Sequence, residues 1–240
     1  MEAWQARRRL QVTVVLLMAA PLAMAGRPLA SDDASTTEAG SCQLEAWSGR
    51  AGSERSLVLA PACGLLPGLE LAADRSRFSP RGTQPDGAGL ALKWLPSGGR
   101  VETGLGELNL GLKFSGAWGQ LAGSSWRATQ TSVLGVATWK PGQAMALHAN
   151  LGAARDRASG TRATLLNLAL VWSPQDALLL FAESLANSQR AVFGGAVRSA
   201  GARWWLVQDT LGLDLTASRE AGVSGPTRWT FGLGWYGIGW

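Results

Sequence analysis

Few residues in this chain are equipped for chemistry, and none is placed for catalysis. The single histidine, His148, shares one face of an alternating stretch with Ala146 and Asn150, so it reads as a polar lining residue. Nucleophilic catalysis needs a serine or cysteine held against such a base, and the sequence puts no serine there. Gly104-Leu105-Gly106 and Gly232-Leu233-Gly234 lie in strand-like segments, without the helix that a phosphate-cradling loop opens onto. Two cysteines and one histidine do not make a metal-ligand set. The expectation is a protein that is not an enzyme, with no catalytic residues, no metal and no cofactor.

What remains are the two cysteines and a set of charges. With a turn near Gly52, Cys42 and Cys63 face each other across a hairpin, and in an exported chain a disulfide between them is expected. Glu45, Glu70, Asp74, Lys93, Glu107, Asn109, Lys113, His148, Asn150, Asn167, Glu183, Arg203 and Asp214 alternate with apolar neighbours. They share an inward face if the leucines face outward. Both signs of charge are present, so the set reads as an internal network of ion pairs and hydrogen bonds, or as the lining of a narrow polar path.

Positioning these residues falls to the rest of the chain. Residues 1–25 read as a signal peptide: Arg7, Arg8 and Arg9 are its positive start, Leu10 to Pro21 its apolar core, and Ala23-Met24-Ala25 a small-x-small cleavage site. That core is shorter than the roughly 20 residues of a membrane-spanning helix. Residues 26–40 lack periodicity and read as a flexible lead. Residues 41–240 hold no other long apolar run, so a membrane could be crossed only by a closed barrel, which satisfies every backbone group. A hydrophobic content of 46% with a mean hydropathy of +0.05 suits strands whose two faces differ. The net charge of +5 comes from scattered arginines, so nucleic acid is not an expected partner.

The clearest strand is 105–114. Leu108, Leu110, Leu112 and Phe114 lie on one face and Glu107, Asn109, Gly111 and Lys113 on the other, a period of two over the length of a tilted transmembrane strand. Similar segments at 43–47, 57–63, 69–74, 90–95, 129–139, 144–153, 161–172, 177–185, 196–207, 211–217 and 227–240 bring the expectation to about twelve strands. The result is an all-β fold, a single antiparallel up-and-down transmembrane barrel. An even count puts both termini on one side, the periplasm in such barrels. Connections after even strands, at 64–68, 96–103, 140–143, 173–176 and 208–209, are mostly short. Those after odd strands, around 49–55, 78–87, 115–128, 155–160, 186–195 and 218–226, are mostly longer.

Tryptophans mark the short-turn end. Trp94-Leu95-Pro96, Trp139-Lys140-Pro141 and Trp172-Ser173-Pro174 repeat one arrangement, and with Tyr236 and Trp240 they are expected at the membrane interface. The closing strand carries a conflict, because Trp229, Phe231, Leu233 and Trp235 alternate on one parity and Tyr236, Ile238 and Trp240 on the other. Either a β-bulge near Gly234–Tyr236 switches the face, or some of these aromatics fill the lumen. The strand resembles the terminal strand that the outer-membrane barrel-assembly machinery reads.

Gly104-Leu-Gly-Glu-Leu-Asn-Leu-Gly-Leu-Lys-Phe114, preceded by Glu102-Thr103, resembles the strand motif of the MetA-pathway phenol-degradation family of outer-membrane proteins. Leu66-Pro-Gly-Leu-Glu-Leu71 and the stretch 201–215 are similar to its later hairpins. The resemblance implies a bacterial outer-membrane barrel that passes small hydrophobic or aromatic molecules. It supplies no site residues, and neither the cysteines nor the tryptophan excess matches it. The reading is therefore a passive pore or uptake channel embedded in the lipid bilayer of the outer membrane, its solute unspecified. The alternatives are a non-conducting structural or interaction barrel and a secreted β-protein that binds an apolar ligand. A barrel resists SDS until heated, so the unboiled protein should migrate differently from the boiled one; identical migration with soluble fractionation would select the secreted alternative.

Overall fold

Leucine alternates with small or polar residues along most of the chain, and the backbone follows that alternation into long antiparallel strands. In the computed structural model, which describes residues 28–82 and 84–240, these are β1 (Ser41–Ala51), β2 (Glu54–Leu66), β3 (Leu69–Ser79), β4 (Asp86–Trp94), β5 (Arg100–Thr103), β6 (Gly106–Gln120) and β7 (Arg127–Lys140). They continue as β8 (Met145–Asp156), β9 (Arg162–Gln175), β10 (Leu178–Asn187), β11 (Val197–Val207), β12 (Leu211–Glu220) and β13 (Arg228–Gly239). The signal peptide expected at 1–25 lies outside the described residues.

Each strand pairs with its neighbours in sequence, with one exception. The short β5 pairs only with β6, while β4 bypasses it and pairs with β6 directly. β1 pairs with β13, which closes the ring, so the barrel has twelve strands and β5 hangs from its rim. Both chain ends of the barrel meet at one rim, where Ser41 lies opposite Gly239. No helix among the described residues is long and apolar enough to span a membrane, a statement that leaves β-barrels untouched.

The wall obeys the expected alternation. On β9, Leu166, Leu168, Leu170 and Trp172 are exposed outward, while Ala163, Asn167, Ala169 and Val171 are buried inward. Cys42 and Cys63 are directly opposed on β1 and β2 and form a disulfide. Three connections are shorter than the polar runs implied. The loop expected at 49–55 shrinks to the turn Gly52-Ser53, because β1 and β2 pair out to Ala51 and Glu54. The loops expected at 115–128 and 78–87 lose residues to β6 and β7 and to β3 and β4, respectively; their polar residues alternate well enough to extend the ladders.

The conflict in the closing strand resolves as a bulge. Leu44 pairs with Trp235 and Cys42 with Ile238, so β13 carries one extra residue at Tyr236-Gly237, and Gly237 takes φ +70°. The bulge lets both parities look outward, with Trp229 55% and Trp240 73% exposed. Tyr236, expected at the interface, turns inward instead, because it precedes the switch and finds a carboxylate in the lumen. A branched side chain at a left-handed position costs about 1–2 kcal/mol. Gly237→Val should therefore lower the urea midpoint of the refolded barrel, whereas Gly239→Val, with open space around it, should leave the midpoint in place.

Candidate functional site

The inward faces of the strands carry the polar side chains, and the space between them holds part of the chain itself. Residues 26–40 were expected to form a flexible lead. Residues 29–37 instead run as a strap within the lumen, from the rim at β3 across to β10 on the opposite wall. Its backbone donors, lacking a strand partner, are met by wall side chains. Thr37 N–H and its hydroxyl donate to Glu70 (2.7 and 2.8 Å), and Ala34 N–H to Thr138 Oγ1 (2.7 Å). The Asn150 amide brackets Asp32, accepting from its N–H at 2.8 Å and donating to its carbonyl at 2.7 Å. Glu183 accepts from Ala30 and Ser31 N–H at 2.9 and 2.8 Å.

Charge reinforces this threading. Lys113 Nζ donates to both Asp32 oxygens at 2.8 Å, and both side chains are almost wholly buried. Lys93 approaches Asp32 (3.6 Å), Asp33 (3.3 Å) and Glu70 (3.9 Å). Asp74 lies half-buried on the inner face of β3, the face that also carries Glu70. Small apolar contacts complete the seat: Ala34 joins Leu134 and Val136, and Leu29 packs with Ala169, Val171 and Phe181. Where the strap leaves the lumen, Gly64 is required, since a Cβ there would overlap the carbonyl oxygens of Thr37 and Glu38.

On the other side of the lumen the contacts among the described residues run between wall side chains. Arg203 on β11 makes a two-point ion pair with Asp214 on β12 (2.7 and 3.0 Å) and lies 3.8 Å from Glu45 on β1. Tyr236 donates to Glu45, and the Arg203 guanidinium lies 4.9 Å from the ring centres of both Trp205 and Tyr236. At the mouth away from the chain ends, a helical turn α1 (Arg190–Phe193) folds inward. There Phe193 packs on Ala154 and Ala163.

The structure thus brings Glu70, Lys93, Lys113, Asn150 and Glu183 together around the strap. His148 reaches it through Thr138 (2.8 Å), and Asn167 through Asn150 (3.5 Å). Glu45, Arg203 and Asp214 form the separate wall cluster. Glu107 and Asn109 stand apart at the rim, where Glu107 pairs with Arg100 (2.6 Å) and Lys140 (3.6 Å) beside a cavity of about 510 Å³. Trp94, Trp139, Trp172 and Trp240 lie exposed near the rim of the chain ends. Sequence reasoning missed Asp32, Asp33, Thr138, Trp205 and Phe193. The available signal was the adjacent Asp32-Asp33 acids beside a barrel with only three lysines, two of which alternate inward.

His148 bonds a threonine, and no serine among the described residues hydrogen-bonds it. No cluster of potential metal ligands occurs among the described residues.

Several solved structures of outer-membrane proteins share this architecture. KdgM porin is similar with a TM-score of 0.62 at 7% identity, over 80% of this chain and 98% of that one. The COG4313 outer membrane channel from Pseudomonas putida F1 is similar with a TM-score of 0.52 at 12% identity, over 85% and 98%. An active-site mutant of outer membrane phospholipase A from Escherichia coli is similar at 0.52 and 11%, over 84% and 91%. These likenesses show the fold, and the fold hosts channels and an enzyme alike. No curated protein matches the sequence. The MetA-pathway family that the strand motifs resemble is not the one that its sequence profile matches. Residues 13–234 match the family described as uncharacterised conserved protein UCP029691, and the chain belongs to that family.

Proposed function

We propose that this protein is a small-solute pore of the bacterial outer membrane, exported by cleavage after residue 25 and closed in its resting state by its own strap. The observation that carries this reading is the polar seat of residues 29–37. A barrel that needed only filling could fill with apolar side chains, whereas here the strap is held by hydrogen bonds and ion pairs that water and a passing solute can replace. Twelve strands also fall between the roughly eight whose side chains fill a barrel and the 16–18 that leave a water channel. Both chain ends would face the periplasm, and the closing strand would be what the assembly machinery reads. The resemblance to the phenol-degradation family favours a hydrophobic or aromatic solute, and the 510 Å³ rim cavity is large enough for a small one.

A second reading, a non-conducting structural barrel, is favoured by the Arg203–Asp214–Glu45 cluster, a buried ion-pair network of wall side chains inside the lumen. Planar-bilayer conductance separates the two. Full-length mature protein should conduct little, and protein lacking residues 26–38 should open stable channels. A truncated protein that is folded and heat-modifiable but silent would leave only the structural reading.

The Asp32–Lys113 pair predicts stability as well. Removing one member of a buried pair costs about 3–5 kcal/mol, whereas replacing both with neutral groups is often close to neutral. Asp32→Ala should lower the urea midpoint of the barrel and expose residues 28–38 to protease. Adding Lys113→Met should restore most of the midpoint.

A further inference from the structure

The outer face of the barrel is apolar except at one rim, the one opposite the chain ends. There arginines face outward in pairs directly opposed across neighbouring strands: Arg50 with Arg55, Arg155 with Arg162, and Arg198 with Arg219. All six are exposed, each within a residue of its strand's end, and none is ion-paired among the described residues. Arginines elsewhere do find carboxylates, Arg203 with Asp214 and Arg228 with Glu54 among them. Like charges opposed across a ladder destabilise it, yet the arrangement recurs in three places around the ring.

Height fixes what these guanidinium groups meet. From Arg162 to Trp172 the strand rises about 34 Å, which at the usual tilt matches an apolar band about 25 Å tall. Leu166, Leu168 and Leu170 fill the interval. The arginines therefore lie at headgroup level on one side and the tryptophans at the opposite interface. A guanidinium is a planar fork that grips a phosphate through two bonds, and paired forks suit a doubly charged or clustered phosphate. Beside Arg198 and Arg219, a groove of about 490 Å³ is walled by Glu220, Gly222, Val223 and Ser224, with the Glu220 carboxylate engaged by the Gly195 N–H.

We infer that the three arginine pairs form a binding belt for the phosphate groups of an outer-leaflet phosphoglycolipid. The belt rests on the outer-membrane reading, with the arginine rim outward, and does not depend on conduction. The test uses full-length mature protein refolded into phosphatidylcholine vesicles, with or without bisphosphorylated lipid A, read by the temperature at which the folded gel band converts. Lipid A should raise that temperature. Arg155→Gln with Arg162→Gln should forfeit roughly 2–4 °C of the rise while losing nothing in neutral vesicles, and the Lys double variant should recover only part of it. No rise with lipid A, an equal rise with phosphatidylglycerol, or an equal loss for the variant in neutral vesicles would each overturn the belt. Failure to fold in any vesicle would instead sink the membrane reading itself.

Discussion

A sheet surrounded by hydrocarbon cannot leave an edge strand unpaired, because every bare peptide group there costs several kcal/mol. Here that constraint is met by the pairing of β1 with β13, and much else depends on it. Closure brings the chain's first and last barrel residues to one rim, Ser41 against Gly239. It also fixes where the segment before Ser41 can go. Gly40 donates to Gly64 on β2 and accepts from Trp240 at the end of β13, so the chain arrives at the seam held by a strand on each flank of β1, and the residues before it turn into the lumen.

Once inside, the strap and the wall each lack something that the other supplies. Peptide groups at Ala30, Ser31, Asp32, Ala34 and Thr37 have no ladder partner, and a buried backbone donor left alone is costly. The wall holds two lysine ammoniums in a narrow space, where an unpaired charge costs more. Side chains from six strands, β3 to β10, answer the strap, and Asp32 answers Lys113. The interaction is specific in register: shifting the strap by one residue would remove Asp32 from between the two lysines and its peptide from the Asn150 bracket.

The fold was legible because its signal is local and repeated. Leu108 to Phe114 declares a two-sided strand by itself, and Trp94, Trp139 and Trp172 declare a shared rim. The conflict of parity in the closing strand was legible too, and the bulge at Tyr236-Gly237 is its physical answer. The strap left no such mark. Residues 29–37 make irregular contacts with strands far away in sequence, so their pattern is set by the partners at positions 70, 113, 138, 150 and 183 rather than by a period. For the same reason the inward charges could be named, but not sorted into a strap seat and a wall cluster. Tyr236 was misplaced because one inserted residue reverses every face beyond it.

What the strap would leave behind bears on whether the lumen can open. If Asp32 left alone, Lys93 and Lys113 would face each other across β4 and β6, where they are directly paired residues. The wall already holds one substitute, since Glu70 lies 3.9 Å from Lys93. Water entering the vacated space would screen what remains. The partners that the Arg203 cluster shows among the described residues, Asp214, Glu45 and Tyr236, are by contrast wall side chains fixed to their strands. Any opening would therefore lie along the β4–β8 side of the lumen, with the Arg203–Asp214 pair and its aromatic neighbours as the fixed opposite bank.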